Sequence, residues 1–394
     1  MRFVVAAVLL AAIPFFGAAP AVAMQASEAN AGDTDSNDDA EDRKAKQKKD
    51  KKDRYRVLPI PVFITEPAIG EGLGIALGVF HPQKRERVGD DPKAATPKSI
   101  GDATKRGAAP PVVSGVFAGY TSSGTWAAGV GHANNFRGDT IRYAGIVAYA
   151  KVESDFHVQD SPIGFELEGT LVFQDLKFRV GASRFMLGTS LSYLDATNVF
   201  DPGLGAGVPP EFRTPDLRQI GVAANAIYEG RDNTTMPSRG QFVELGLWRY
   251  DEALGSDYDY WNPTLRVLSF HPLGRRFNLD LRLDVAAVDG DPPFFGFPWV
   301  KLRGVPALRY QGEVVGALEL QGRFRAAPRW IVLGFAGTGF TAEDLDFVDD
   351  NNSIYTGGAG ARFNILKSQN IWFGLDAARG PEEWTWYIQV NHPW

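Results

Sequence analysis

Apolar and polar residues alternate over long stretches of this chain. Residues 276–285 (RFNLDLRLDV) put polar side chains on one face and apolar ones on the other, with Asn278, Asp280, Arg282 and Asp284 opposite Phe277, Leu279, Leu281, Leu283 and Val285. Residues 313–325 and 384–394 repeat the pattern, and the alternation assigns Trp394 to the apolar face of the last segment. Because successive side chains of a β-strand point to opposite faces, these stretches are predicted to be strands.

About sixteen strands of this kind can be counted from residue 55 onward. They span residues 55–64, 72–81, 112–121, 124–135, 139–152, 162–173, 185–198, 216–229, 239–252, 257–270, 275–288, 311–325, 330–341, 353–365, 370–379 and 384–394. The number is even, as antiparallel closure of a bacterial membrane barrel requires, and the lengths approach the ~9–11 residues of a tilted membrane strand. The predicted fold is all-β: a transmembrane antiparallel barrel.

A soluble β-sandwich also alternates, so further features decide between it and a membrane barrel. The polar faces are strongly charged, which suits a hydrated lumen. Aromatic residues gather near predicted strand ends, as in the girdles of membrane barrels; they are Trp248, Tyr250, Trp261, Trp384, Trp386 and Trp394. With the export signal described next, these features predict a barrel in the outer membrane of a Gram-negative bacterium.

The N-terminal part of the chain predicts export. A positively charged start, an apolar run and a small-residue cleavage sequence predict a signal peptide over residues 1–23. Residues 24–54 form an acidic block followed by a basic one, which predicts a disordered tail that is too short for a folded periplasmic domain. The barrel is predicted over residues 55–394, with 82–111 as a disordered insertion.

Composition excludes several functional classes. A net charge of −6 argues against nucleic acid as the main partner, because a phosphate-binding surface needs a basic excess. The chain has no cysteine, its five histidines are scattered, and it has no Gly-x-Ser-x-Gly elbow. We therefore expect a protein that is not an enzyme and holds no metal or cofactor. The acidic stretch 343–350 permits a calcium site or a solvated loop, and its irregular spacing favours the loop.

Four segments carry a resemblance to a known family. They are VLPIPVFITEPAIGEGLGIALG (57–78), RDNTTMPSRG (231–240), LRGVPALRY (302–310) and the last hairpin, which ends in Trp394. In this order they resemble the entry strands, an Asp-containing turn, the Arg-Gly motif of the sixth extracellular loop and the last strand of the BamA/TamA superfamily of outer-membrane assembly factors. The barrel of that family is the bacterial surface antigen domain.

The resemblance implies that the extracellular loop 289–310 folds into the lumen, with Arg303 and Gly304 as a latch against the barrel wall. The family often offers an aspartate on the strand after this loop, in a Phe-x-Asp-x-Gly pattern. Here the matching stretch, residues 335–339, reads FAGTG and has no acid. An unpaired buried charge is costly, so Arg303 needs another partner. The candidates are Glu319 and Asp284, then Asp376.

Two further sites follow from the same segments. In the periplasmic turn that begins at Arg231, Asp232 and Asn233 can cap turn amides, Pro237 fixes φ, and Gly240 admits a positive φ. The resemblance implies that Trp394 is a recognition signal for barrel assembly.

By resemblance, we expect the chain to assist the insertion or translocation of proteins or lipids at the outer membrane. The expected device is the seam between the first strand (55–64) and the last (384–394), where Pro59, Pro61 and Pro393 remove hydrogen-bond donors. The alternative is a passive channel or a structural envelope protein with no client. Expected partners are outer-membrane lipid, the barrel-assembly machinery of the cell, and a periplasmic protein in place of the family's polypeptide-transport (POTRA) domains.

Overall fold

A computed structural model describes residues 56–81, 110, 112–158, 161–200, 216–342, 353–366 and 371–394. The predicted signal peptide and tail lie outside the described residues, as do nearly all of the insertion 82–111 and the acidic stretch 343–350. No helix in the described part of the chain is long and apolar enough to cross a membrane.

The described chain consists almost entirely of β-strands. In chain order they are β1 (Arg56–Glu66), β2 (Gly70–Phe80), β3 (Val113–Thr121), β4 (Trp126–Phe136), β5 (Ile141–Val158), β6 (Ser161–Arg179), β7 (Phe185–Phe200), β8 (Asp216–Glu229), β9 (Gly240–Tyr250), β10 (Tyr260–Pro272), β11 (Phe277–Ala287), β12 (Asp289–Gly290), β13 (Val314–Ala327), β14 (Trp330–Ala342), β15 (Ser353–Leu366), β16 (Ile371–Arg379) and β17 (Trp384–Val390). The two-residue β12 only extends the pairing of β10, so sixteen long strands form the wall.

These strands form a transmembrane barrel in which every paired neighbour is antiparallel. Fifteen ladders join β1 through β17 in sequence order, with β13 following β11. We call the end where β1 begins and β17 ends the terminal end, and the opposite end the loop end. The segment between β11 and β13, here loop 288–313, starts at the loop end.

Alternation decides which side chains line the lumen. On β13, Leu318 and Leu320 are exposed on the outer surface, whereas Glu319 and Gln321 are fully buried inside. An outer surface of this kind suits contact with lipid, and a polar inner face suits a hydrated or loop-filled lumen. The faces predicted for residues 318–321 of this strand are confirmed.

The aromatic residues divide differently from the prediction. Trp261, Trp384 and Trp386 are exposed on the outer surface, as an interfacial girdle requires. Trp248 and Tyr250 are buried, because their positions on β9 point into the lumen, where their rings stack at a centroid distance of 6.0 Å. Assigning these two residues to the girdle was wrong.

Strand lengths also depart from the prediction in two places. Strands β5 and β6 have 18 and 19 residues and extend well past the predicted ends at 152 and 173. The predicted end of β6 at 173 lies just before two consecutive polar residues, Gln174 and Asp175. In the structure β6 stays paired with β5 and β7 through both residues, and the Gln174 side chain accepts a hydrogen bond from the hydroxyl of Tyr143 on β5.

Candidate functional site

Loop 288–313 fills part of the lumen and is anchored there by aromatic residues. Phe294 and Phe295 form a short 3-10 turn and are buried. The ring of Phe294 lies 4.8 Å from that of Phe165 on β6 and 5.5 Å from that of Phe200 on β7. Burying each such ring stabilises the docked loop by roughly 1.5–3 kcal/mol. These rings therefore favour the position of the loop inside the lumen.

Small residues on β14 let the second half of the loop lie against the wall. Gly337 and Gly339 face Leu302 and Val300 of the loop. A Cβ built on Gly337 would come within 2.8 Å of the Leu302 side chain. Larger residues at these two positions would hold the loop off the wall.

Arg303 is buried at the centre of an ion-pair cluster. Its Nη2 and Nε donate to Glu319 Oε1 at 2.6 and 3.0 Å, and its Nη1 donates to Asp376 Oδ2 at 3.0 Å. The guanidinium carbon also lies 3.5 Å from the ring centroid of Phe335, a cation–π contact. Asp376 in turn receives Nη2 of Arg362 at 2.8 Å. Two arginines and two carboxylates thus balance one another inside the barrel.

Glu319 provides Arg303 with a carboxylate although residues 335–339 contain no acid. Glu319 stands directly opposite Gly337 in the ladder between β13 and β14. Glu319 therefore supplies its carboxylate to Arg303 from the strand beside position 337. The glycine leaves room for both the loop and this side chain.

Asp284, the other candidate predicted for Arg303, has different partners. Its carboxylate receives Nε of Arg266 and Nε of Arg282, each at 2.7 Å. Arg282 also donates to the carbonyl of Lys301, so Asp284 holds the loop through an intermediate arginine. Alternation correctly places Asp284 in the lumen. The alternation pattern does not tell how far along the barrel axis a side chain lies, so it could not show that Asp284 has partners other than Arg303.

Gly304 permits the closest approach between loop and wall. Its φ is 90°, a conformation that favours glycine, and its N–H donates to the Tyr387 hydroxyl at 2.8 Å. A Cβ on Gly304 would lie 2.8 Å from the backbone nitrogen of Gly380, just after β16. The loop is therefore fastened to β13, β16 and β17 within two consecutive residues.

The C-terminal tail, residues 391–394, enters the same lumen from the terminal end. Strand β17 stops at Val390 because Asn391 adopts a positive φ of 63°, and its side chain accepts the N–H of Trp372 at 3.0 Å. Trp394 donates its indole N–H to Glu319 Oε1 at 3.0 Å. Placing Trp394 on the outer face was wrong, because the alternation ends where the strand ends.

Glu319 is therefore the meeting point of loop and tail. One of its oxygens, Oε1, accepts hydrogen bonds from both Arg303 and Trp394. We call the set Arg303, Glu319, Arg362, Asp376 and Trp394 the lumen cluster. Sequence reasoning missed Arg362. It is the only charged residue of β15, and a lone charge on a barrel strand could have indicated a lumen site.

His392 is held neutral inside the barrel. Its Nε2 lies 3.2 Å from both Asp280 Oδ2 and the side-chain nitrogen of Gln321. The positive charges of Arg323 and Arg362 repel a proton on this ring. Burial, which disfavours the charged imidazolium, lowers the pKa of His392 to about 4, and the two arginines act in the same direction. The hydrogen bond to Asp280 opposes the shift without overcoming it.

This pKa predicts that acid weakens the docking of the tail. A released His392 would titrate near its usual pKa of about 6.5. Between pH 6.5 and pH 4 the released tail therefore binds more protons than the docked tail. The docked state loses stability as the pH falls through that window. We expect roughly twentyfold more release at pH 5 than at pH 7. The release of the tail is measured as the rate at which a carboxypeptidase trims the refolded barrel. This rate is divided, at each pH, by the rate for a free peptide of the same sequence. If His392→Gln shows the same pH dependence, this explanation fails.

The turn 231–240 is built by its own side chains. Asp232 Oδ1 accepts the backbone N–H of Ser238 at 2.9 Å, and Asn233 Oδ1 accepts that of Thr235 at 2.8 Å. Gly240 has a φ of 103°. Arg231 pairs with Glu229, and the carbonyl of Pro237 accepts Arg323 Nη2 at 2.6 Å. The motif residues thus shape a rigid turn at the terminal end, close to the tail.

The arrangement is suited to holding the loop and the tail in the lumen. The buried acids of the lumen cluster are neutralised by arginines. Among the described residues, no group of three histidine, aspartate or glutamate side chains is placed to hold a metal ion.

Comparison with solved structures supports the architecture. The chain is similar to BamA from Haemophilus ducreyi lacking POTRA domains 1-3, with a TM-score of 0.56 and 10% identity over 86% of this chain and 70% of that one. It is also similar to CdiB from Escherichia coli (TM-score 0.57, 11% identity, 84% of this chain, 62% of that one) and from Acinetobacter baumannii (TM-score 0.52, 8% identity, 86% and 59%).

The likeness is one of fold. The chain spans less than two thirds of either CdiB chain. No protein-family model matches the sequence, and no curated protein does. The chain is a transmembrane β-barrel with the fold of the outer-membrane proteins BamA and CdiB.

Proposed function

We propose that this barrel resides in the outer membrane of a Gram-negative bacterium and assists the insertion or translocation of proteins or lipids there, as the BamA/TamA superfamily does. Its partners are then membrane lipid, a client, and the machinery that assembles the barrel itself. The proposal involves no catalytic step. The observation that carries it is the seam between β1 and β17.

The seam differs from every other junction in the wall. Cα atoms of β1 and β17 approach within 8 Å, yet in the described residues no ladder pairs the two strands. The other neighbouring strands are aligned over at least seven residue pairs, as between β16 and β17, and over up to eighteen, as between β5 and β6. Opening the barrel here therefore breaks fewer backbone hydrogen bonds than opening it anywhere else.

Local sequence accounts for this weakness. Pro59 and Pro61 on β1 have no N–H to donate, and β17 is only seven residues long. Pro393, which was expected to face the seam, lies beyond the strand in the tail that turns into the lumen. Two prolines, rather than three, weaken the junction.

An unpaired edge gives the seam a means of acting on a client. The edges of β1 and β17 present backbone N–H and C=O groups that can pair with an incoming strand, as in β-augmentation. The same opening connects the lumen to the surrounding lipid. A client strand or a lipid headgroup can therefore use the seam as a sideways path, which a fully hydrogen-bonded wall would deny it.

Locking the seam tests the proposal. The chain has no cysteine, so a disulfide between one cysteine on β1 and one on β17 is unambiguous. In proteoliposomes, the wild-type barrel should accelerate the insertion of an unfolded outer-membrane protein or the transbilayer movement of lipid. The crosslinked variant should lose this acceleration and regain it on reduction, because the disulfide replaces the missing ladder with a covalent bond.

A matched control locks a junction that is already paired. Val116 and Val130 are directly opposed in the ladder between β3 and β4, and both are exposed on the outer surface. A disulfide between Val116→Cys and Val130→Cys should leave activity unchanged. If the locked seam works as well as this control, or if the wild-type barrel accelerates neither process, the proposed function is wrong.

A further inference from the structure

A cavity at the terminal end is lined by an unusual concentration of arginines. Its volume is about 580 Å³, and three neighbouring parts of the barrel supply its charge. They are the turn 231–240, the turn between β10 and β11, and the end of β13; the charged residues are Asp232, Arg239, Arg275, Arg276, Arg323 and Arg325.

Most of this positive charge is not neutralised by the residues that the structure describes. Arg239, Arg275, Arg276 and Arg325 are exposed, and no described carboxylate lies within ion-pair distance of them. The one acid of the lining, Asp232, is occupied by the hydroxyl of Ser238 and by backbone N–H groups of its turn. Elsewhere in the lumen arginines are paired with acids, as in the lumen cluster, so an excess of positive charge is a specific feature of this cavity.

The cavity walls are held in place before any ligand arrives. Asn278 Nδ2 on β11 donates to the carbonyl of Ser238 at 2.6 Å, and Arg323 on β13 donates to the carbonyl of Pro237. Arg323 is itself fixed by Asp280. On the remaining side Met236, Ile331 and Trp372 pack together, and the guanidinium carbon of Arg325 lies 5.8 Å from the Trp372 ring centroid. Preorganised walls reduce the entropy that binding costs.

We propose that this cavity binds a phosphate group. Guanidinium groups present planar pairs of N–H donors that match phosphate oxygens, and each such charge-assisted pair is stronger than a neutral hydrogen bond. The arginines come from three separate elements, so they approach from different directions, as the tetrahedral oxygens of phosphate require. A terminal phosphate carries more negative charge than one carboxylate, and a phosphodiester headgroup, with a single charge, still offers two unesterified oxygens to the arginines. The site does not depend on the seam between β1 and β17.

Two sources can supply this chemistry: a soluble phosphate compound or the headgroup of an anionic lipid in the adjacent leaflet. The probe for the first is inorganic pyrophosphate, titrated calorimetrically into the wild-type barrel in nanodiscs of zwitterionic lipid. The probe for the second is phosphatidylglycerol, mixed into the same nanodiscs and measured by its enrichment around the barrel. Binding in either arm supports the site and identifies its source, and binding in neither overturns it.

The test variant is Arg275→Gln with Arg276→Gln, in an exposed turn where neither side chain is needed for packing. Binding should weaken at least about tenfold, because two charge-assisted contacts are lost. The matched control is Arg137→Gln with Arg329→Gln, which removes two exposed arginines from the same end of the barrel outside the cavity. If the control loses as much affinity as the test variant, or if the test variant binds like wild type, the site does not exist.

Discussion

Replacing Arg303 with alanine is expected to release loop 288–313 and to change the conductance of the barrel. The substitution leaves Glu319 buried with only the Trp394 indole N–H as a donor among the described side chains, and it removes one of the two arginines at Asp376. Breaking a buried ion pair by removing one partner costs about 3–5 kcal/mol. The loop then loses its main attachment to the wall in this half of the lumen.

Single-channel recording in a planar bilayer measures the effect. The wild-type barrel should give a small, flickering current, and Arg303→Ala should give a larger and steadier one. Arg309→Ala is the matched control on the same loop, because Arg309 pairs with the more exposed Glu382, and such pairs contribute about 0–1 kcal/mol. A large, steady pore in the wild type as well as in the variant would contradict the latch and would favour the passive-channel function.

Replacing Gly380 with alanine is expected to displace the same loop without touching any charge. A Cβ built on Gly380 would overlap the carbonyl oxygen of Gly304. Backbone has to move to relieve such an overlap, and overpacking typically costs about 1–3 kcal/mol. The hydrogen bond from Gly304 to Tyr387 lies next to this contact and should be lost with it.

Trypsin provides the measurement, because Lys301, Arg303 and Arg309 become cleavable once the loop leaves the lumen. The Gly380→Ala barrel should be cut within the loop under conditions that leave this loop of the wild type uncut. Gly138→Ala serves as control: unlike Gly380, Gly138 has a positive φ, of 60°, but a Cβ there meets nothing within 4 Å. Equal resistance of the Gly380 and Gly138 variants would show that the close approach does not hold the loop.

Sequence alternation predicted the wall well because it depends only on neighbouring residues. It placed Glu319 in the lumen and Leu318 outside, but it ended β6 at 173, whereas the strand continues to Arg179. It also failed at Trp394, because no local pattern signals that Asn391 will turn the chain inward.

The candidate site depends on information that alternation does not contain. Glu319, Asp284 and Asp376 all point inward, but only the register of the ladders decides which of them reaches the height of Arg303. The missing acid at position 337 is replaced across the ladder, by a residue eighteen positions earlier in the chain, and pairing of this kind becomes visible only in three dimensions.

The partners of the Arg303 loop also imply an order of events during folding. Arg303 and Gly304 bind residues of β16 and β17 that lie 73 and 83 positions later in the chain. Contacts between such distant positions form late, because the intervening chain must first be ordered. The loop therefore cannot settle until the last hairpin has joined the wall. Occlusion of the lumen becomes a final maturation step, and a barrel stalled before that step would expose its interior to proteases.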